Sequence, residues 1–177
     1  VKQNDLGNIC HEHIEFYSHK SLKYLFEKNN LEIFKIEENE INGGSYRIYC
    51  RKFNKGSIKL KNEKIIDSLK KFYLRVNLNK RKTISFLKKA KRNGKKVFLY
   101  GASTKGNTLL QYYKIDNKLI PYAAERSKMK YGKYTVGTGI KIISEKDARK
   151  MKPDYFYVTP WAFIKEFLKR DLPVELS

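Results

Sequence analysis

The sequence predicts an α/β protein, and three observations carry that expectation. From Lys96 onward short apolar runs alternate with helix-like segments, the pattern of a small parallel sheet. Ahead of that, residues 13 to 51 read as helix, strand, turn, strand, a unit that cannot bury both of its faces alone and needs more sheet to pack on. The 177 residues are 41% hydrophobic and 14% aromatic, which is enough to build a packed core and excludes wholesale disorder.

The elements follow in chain order. Asp5 to Ile14 reads as a short polar loop or strand running into His11-Glu12-His13. Ser18 is the expected N-cap of a helix from His19 to about Asn29, with Leu22, Leu25 and Phe26 on one face. Leu31 to Glu37 alternates as a strand, Asn42-Gly43-Gly44 is a turn signal, and Ser45 to Arg51 alternates as the returning strand. Phe53 to Ser57 reads as a linker. Lys61 to Asn93 reads as one long basic helix, or two if it breaks near Asn77 to Asn79, with Gly94 as its C-cap. Within it Ile65, Leu69, Phe72 and Val76 share the expected buried face. Lys96 to Tyr100 is a short buried strand, followed by the loop that opens at Gly101 and a helix through about Tyr113. Leu119 to Ala124 is the next strand, Glu125 to Gly139 a loop, and Ile140 to Ile143 another strand. Ser144 caps a helix with Asp147 at its third position, Pro153 ends it, Tyr155 to Thr159 is a strand and Trp161 to Arg170 a helix.

The charge narrows the function classes less than its size suggests. Lys and Arg number 39 against 18 Asp and Glu, a net +21. Only 8 of the 39 are Arg, and Asn (13) and Ile (16) are abundant too, which is the signature of AT-rich coding. Arg51 to Lys96 holds 18 of the cations and two acids, Glu63 and Asp67. Such a block suits nucleic acid, an anionic surface or an acidic partner, and it suits equally a solvated helix face. No stretch approaches the roughly 18 apolar residues of a membrane-spanning helix, so a membrane is not an expected partner. Two cysteines, Cys10 and Cys50, exclude a disulfide scaffold and a cysteine zinc cluster and suit a reducing, cytoplasmic setting.

Three places have residue types that do chemistry. Gly101-Ala102-Ser103-Thr104-Lys105-Gly106-Asn107-Thr108 follows a buried strand and opens a helix, where backbone N–H groups and the helix N-terminus favour an anion. It is neither G-x-x-x-x-G-K-[ST] nor G-x-G-x-x-G, so an ordinary strand-to-helix turn stays open as the alternative. His11-Glu12-His13 pairs an imidazole with a carboxylate, the parts of a general base, against the alternative of surface histidines. With His19 the only other histidine, the triplet is too poor in ligands for a zinc site. Asn42-Gly43-Gly44-Ser45 would let backbone approach a ligand with Ser45 and Arg47 as donors, against the alternative of a plain hairpin turn.

These pieces, in this order, resemble a known family. Cys10-His11-Glu12-His13, Tyr17-Ser18, Gly43-Gly44-Ser45-Tyr46-Arg47-Ile48-Tyr49, the run from Tyr100 to Gln111, Gly137-Thr138-Gly139-Ile140, Pro153-Asp154-Tyr155 and Pro160-Trp161 are similar to the C-terminal half of S-adenosylmethionine-dependent sugar C-methyltransferases. The resemblance covers about Asp5 to Lys169. It implies that residues 1–53 are the end of a class I methyltransferase sheet, and that 54–177 are a basic helical linker and a Rossmann-like parallel-sheet domain. It also implies that the S-adenosylmethionine site and a cysteine zinc module lie upstream, that the chain is a fragment or a truncated product, and that a separately encoded N-terminal half is a possible partner. The substrate it implies is a nucleotide-linked keto-deoxysugar. His13 would be the base that removes the proton beside the keto group, with Glu12 next to it. His11, Ser45, Arg47, Ser103, Thr104, Lys105, Asn107 and Thr108 would contact the substrate. Cys10 stands where the family usually has a tyrosine, and Asn42 where it usually has a histidine. A nucleic-acid-binding module built on the basic block, and an inactive structural remnant, are the alternative readings.

Overall fold

The structure is a computed structural model and describes residues 6–10, 12–39, 44–60, 65–159 and 164–171. It divides into two compact units: Glu12–Leu74 together with Val1–Asp5, and Arg75–Ser177 together with Leu6–His11.

The first unit starts from a reciprocal cap. Ser18 Oγ accepts the Ser21 N–H at 3.0 Å while the Ser18 N–H donates to Ser21 Oγ at 2.8 Å. Two end groups that a helix would otherwise leave unpaired are thereby satisfied, and α1 runs over His19–Lys28. Asn30 takes φ +57° and turns the chain into β1, Leu31–Asn39. This strand pairs antiparallel with β2, Ser45–Lys52, in the register Leu31↔Lys52 to Asn39↔Ser45, with an irregularity between Ile33 and Lys35. The turn expected at Asn42-Gly43 lies outside the described residues.

The stretch expected to be a linker is instead tied down. Glu32 is fully buried, and its carboxylate accepts the backbone N–H groups of Asn54 (3.0 Å), Lys55 (2.8 Å) and Gly56 (2.6 Å) and the Arg51 guanidinium (2.6 Å). Ser57 joins in, accepting the Ile33 N–H on its hydroxyl at 3.1 Å and donating its own N–H to Glu27 at 3.0 Å. Composition flags Phe53 to Ser57 as turn-like but cannot foresee an anion, 22 residues earlier, around which successive N–H groups converge. The Asn54 N–H and the Arg51 guanidinium, with the Lys55 and Gly56 N–H groups, hold the Glu32 carboxyl down at about 2. A carboxyl depressed on folding contributes stability that is complete above its unfolded value and is lost as pH falls toward the folded one. Glu32→Gln is therefore expected to lower the melting temperature at neutral pH and to remove part of the acid sensitivity between about pH 4.5 and 2, measured by thermal melts across pH. An unchanged neutral melt would contradict this account of the segment.

The long basic helix is a single one. α2 runs continuously over Ile65–Arg92, through Asn77 and Asn79. Gly94 at φ +68° closes it, with the Lys95 N–H returning to Ala90 O at 2.9 Å. Phe72 and Val76 are buried as expected, but Leu69 on the same stripe is 48% exposed. A helical stripe says which side chains share a face, not how far along the helix a packing partner extends.

The second unit has a four-stranded, all-parallel sheet in the order β5-β4-β3-β6. The strands are β3 Val97–Tyr100, β4 Tyr122–Glu125, β5 Lys141–Ser144 and β6 Tyr155–Val158. The helices are α3 Thr104–Tyr113, α4 Glu145–Lys150 and α5 Ile164–Asp171. All four β3 residues are buried, as a strand covered on both faces requires. The period of two sorts the faces. Phe98, Tyr100, Tyr122, Ala124, Phe156 and Val158 cluster with Ala148 of α4 and Phe167 of α5. On the alternate face, Tyr155 of β6 meets Phe86 of α2 edge-on, with ring centres 5.3 Å apart. The result is helix, sheet, helix.

Several strand ends shift by one or two residues from expectation, and two stretches differ more. β4 starts at Tyr122, because Leu119 and Ile120 close a turn onto Asp116 O. Ile120 is fully buried, so the apolar run is core without being strand. The Glu125 to Gly139 segment also has internal structure, with a 3-10 turn at Lys128–Lys130 and the Thr135 hydroxyl accepting the Ile140 N–H at 2.9 Å. Among the described residues no helix is long and apolar enough to cross a membrane.

Candidate functional site

The strand order singles out one edge of the parallel sheet. The chain runs from β3 outward to β4 and β5, then returns to lay β6 on the other side of β3. The crevice beyond the C-terminal ends of β3 and β6 is therefore the point of topological reversal, where open α/β sheets take ligands. The Gly101–Thr108 run lies at that edge. Gly101 takes φ +83° and its N–H donates to Ala124 O at 2.8 Å, turning the chain sharply off β3. Ser103 caps α3, its hydroxyl accepting the Gly106 N–H at 3.0 Å.

Gly106 is a close-approach glycine. A Cβ there would lie 2.6 Å from Thr159 Oγ1 and 3.1 Å from Ser103 Oγ, so the first turn of α3 sits directly against the residue that follows β6. Gly7 plays the matching part on another side: a Cβ on it would come within 2.7 Å of Lys105 Cβ, so the Leu6–Asn8 3-10 turn packs against α3. Of the expected contacts, Thr104 is exposed, Ser103, Lys105, Asn107 and Thr108 are half-buried, and Thr108 Oγ1 reaches back to Thr104 O at 3.4 Å. Among the described residues Asn107 Oδ1 and Thr159 Oγ1 are buried without a hydrogen-bond partner. A buried polar atom left unpaired costs about 1–3 kcal/mol.

A carboxylate braces the loop. Glu125, at the end of β4, accepts the Ala102 N–H at 3.0 Å and the N–H groups of Arg126 (2.8 Å) and Ser127 (3.0 Å). Lys130 ties the same corner, donating to Ala102 O at 2.9 Å and lying 3.4 Å from Glu125. Burial pushes the Glu125 carboxyl up, but the N–H groups of Ser127, Ala102 and Arg126 and the Lys130 charge together leave it below the usual carboxylate range. Gly7, Thr159, Glu125 and Lys130 escape a reading by motif. Only Glu125 carries a signal, standing 24 residues past Gly101, near the spacing at which dinucleotide folds place an acid.

Of the remaining expected residues, Glu12, His13, Ser45 and Arg47 belong to the first unit. Glu12 and His13 are exposed on a turn and coil ahead of α1, not on a strand. With Ile14, Glu15 and Tyr17 they line a shallow groove. Tyr17 donates its phenol proton to Glu15, whose hydrogen bond and charge push the phenol above its ordinary value. On β2, Ser45 donates to Asn39 Oδ1 at 2.7 Å, and Arg47 is exposed in register with Glu37. His11, Pro160 and Trp161 lie outside the described residues. Both cysteines are free thiols, and burial pushes the Cys50 thiol up. Among the described residues no group of histidine, cysteine and acid side chains could hold a metal ion.

Part of the basic block has structural work. Lys80 donates to Tyr112 O at 2.7 Å and lies 4.7 Å from the centre of the Tyr112 ring, and Lys91 donates to Lys118 O at 2.9 Å. Lys95 pairs with Asp154 at 2.8 Å.

Residues 40–174 match the model of the C-methyltransferase C-terminal domain. The chain belongs to that family. It is also 24% identical over 183 residues to the C-methyltransferase NovU of Streptomyces niveus, a match that covers 97% of this chain and 44% of NovU. The chain thus spans less than half the length of that curated relative. The family match contains Ser45, Arg47, the whole Gly101–Thr108 loop, Glu125 and Thr159, whereas Glu12 and His13 precede it.

Proposed function

We propose that this chain is the substrate-side part of an S-adenosylmethionine-dependent C-methyltransferase acting on a nucleotide-linked keto-deoxysugar. The observation that carries the reading is the Ser103–Thr108 loop of a C-methyltransferase C-terminal domain, opening a helix at the reversal point of a parallel sheet. A first turn of N–H groups, with Ser103, Thr104, Lys105, Asn107 and Thr108 around it, suits the diphosphate of such a substrate. Ser45 and Arg47 are proposed as further substrate contacts, and a separate N-terminal polypeptide as a partner.

The chemistry proposed for this chain is proton removal. A keto group acidifies the C–H beside it, a base takes that proton, and the enolate carbon becomes the nucleophile. His13, solvent-accessible in the groove with Glu12 and Tyr17, is proposed as the base, because a neutral imidazole accepts a proton near neutral pH. When bound, S-adenosylmethionine supplies the electrophilic methyl group. The second unit does not fit that cofactor: Glu125, where a dinucleotide-type site would use an acid to hold ribose hydroxyls, already accepts three N–H groups, including that of Ala102 in the loop. The cofactor is therefore proposed to sit in polypeptide corresponding to the part of NovU outside the match, and this chain alone is proposed not to transfer methyl groups.

Proton removal can be read without methyl transfer. In the assembled enzyme, with S-adenosylhomocysteine in place of the methyl donor, a thymidine diphosphate 4-keto-deoxysugar in deuterium oxide is expected to lose the C3–H signal by NMR. Bound sugar that keeps its C3–H at the buffer rate would overturn the reading.

A further inference from the structure

We infer that Arg126, the residue after β4, is a substrate-binding residue: its guanidinium takes phosphate oxygens of a nucleoside diphosphate at the C-terminal edge of the parallel sheet, beside the Ser103–Thr108 loop. The inference rests on the proposed diphosphate reading of that loop and adds to it a cation from a different strand end.

The sheet puts this residue next to the loop. β3 and β4 are parallel neighbours with Tyr100 opposite Ala124, so the chain leaves both strands at the same end, into Gly101 from one and Arg126 from the other. One carboxylate joins the two exits. Glu125 accepts the Ala102 N–H at 3.0 Å on one oxygen and the Arg126 N–H at 2.8 Å on the other. The Arg126 backbone is held from its other end too, where the Tyr131 hydroxyl donates to Arg126 O at 3.1 Å. The charges at this corner can then be assigned in turn. Glu125 is engaged by three N–H groups and countered by Lys130, which also donates to Ala102 O. Arg126 is exposed, and among the described residues its guanidinium has neither an acid nor a neutral acceptor as partner. Thr104, at the start of α3, is exposed as well, so an anion meets both from solvent without entering packed interior. A guanidinium is the group suited to that ligand. It stays charged at every physiological pH, and its planar fork matches two phosphate oxygens at once. A backbone already fixed at both ends leaves less freedom to be lost when the side chain is ordered by a ligand.

The test uses the full 177-residue chain and two probes, thymidine diphosphate and inorganic pyrophosphate, titrated by calorimetry against wild type, Arg126→Gln, Arg126→Lys, Lys128→Gln and Lys105→Gln. Arg126→Gln is expected to weaken both probes by about 10–100-fold, the range for hydrogen bonds to a charged group. Arg126→Lys is expected to recover part of the loss, because an ammonium keeps the charge but not the paired donors. Lys128, exposed on the same turn and without a partner among the described residues, is the control for charge alone. Lys128→Gln is expected to stay within about twofold of wild type, as a single exposed charge contributes little by itself. The ligand-free melting temperature of Arg126→Gln is expected to match that of wild type, since the guanidinium has no internal partner to lose. A clearly lower ligand-free melt would mean that the side chain is structural, and would overturn the inference. Equal weakening by Lys128→Gln would reduce the effect to general attraction and overturn it as well. Arg126→Gln binding like wild type while Lys105→Gln weakens would overturn the role of Arg126 and leave the loop reading standing. Loss of thymidine diphosphate binding with pyrophosphate unaffected would overturn the phosphate assignment. Wild type binding neither probe would remove the loop reading and this inference together.

Discussion

His13→Gln is expected to slow exchange of the substrate C3–H by about 10²–10⁴-fold in the assembled enzyme, the range that a positioned general base contributes. Glutamine keeps a polar side chain of similar reach but cannot take a proton, so binding of the nucleotide-sugar is expected to stay nearly unchanged. Glu12→Gln is expected to slow exchange less, because a carboxylate beside the base tunes or orients it without accepting the proton itself. The geometry bears on the choice. His13 is exposed, lines the same groove as Glu12 and Tyr17, and stands edge-on to Phe16 with ring centres 6.3 Å apart. Tyr17 is already committed to Glu15 with a phenol pushed above its ordinary value, which makes it a poor base near neutral pH. Deuterium wash-in at saturating sugar checks this. A His13→Gln protein that exchanges at the wild-type rate would move the base elsewhere.

Phe98→Ala is expected to destabilise the second unit by about 3–5 kcal/mol, a large part of the roughly 5–15 kcal/mol that holds a domain together. Phe98 is 2% exposed in the middle of the sheet, packed with Tyr100, Ala124 and Ala148 and edge-on to Tyr122 at 5.3 Å between ring centres. Sheet on one side and α4 on the other leave little freedom to collapse into the gap, so the cavity cost adds to the lost burial. Phe98→Leu, which keeps most of the volume, is expected to cost under about 1.5 kcal/mol. Urea unfolding followed by circular dichroism reads both. The alanine variant is expected to shift the midpoint far to lower denaturant, and a midpoint near that of wild type would contradict the assignment of this cluster as the core.

Much of this architecture was legible in the residues because each signal had a local cause. Ser18 and Ser144 each accept an N–H three residues on, a pairing that needs no knowledge of the rest of the chain. The buried run Val97 to Tyr100 and the glycine after it read correctly as strand and turn for the same reason. What escaped depends on distant partners. Glu32 organises residues 54 to 56, Glu125 braces Ala102, and Thr159 meets Gly106 across 53 positions of sequence. Ile120 is core by burial but turn by backbone, and no period distinguishes the two. At the candidate site the loop was visible as a motif, whereas the residues that shape it come from other strand ends, which only the topology brings together. The basic charge was plain in composition, yet Lys80, Lys91 and Lys95 prove to be fastened to Tyr112, Lys118 and Asp154.

The central claim is that this chain carries the nucleotide-sugar side of a methyl transfer and not the methyl-donor side. Parallel calorimetric titrations of the 177-residue chain with a thymidine diphosphate-sugar and with S-adenosylmethionine test it directly. The account predicts weak, saturable binding of the sugar nucleotide and no heat from S-adenosylmethionine. Tight binding of S-adenosylmethionine, with no response to the sugar nucleotide, would contradict it.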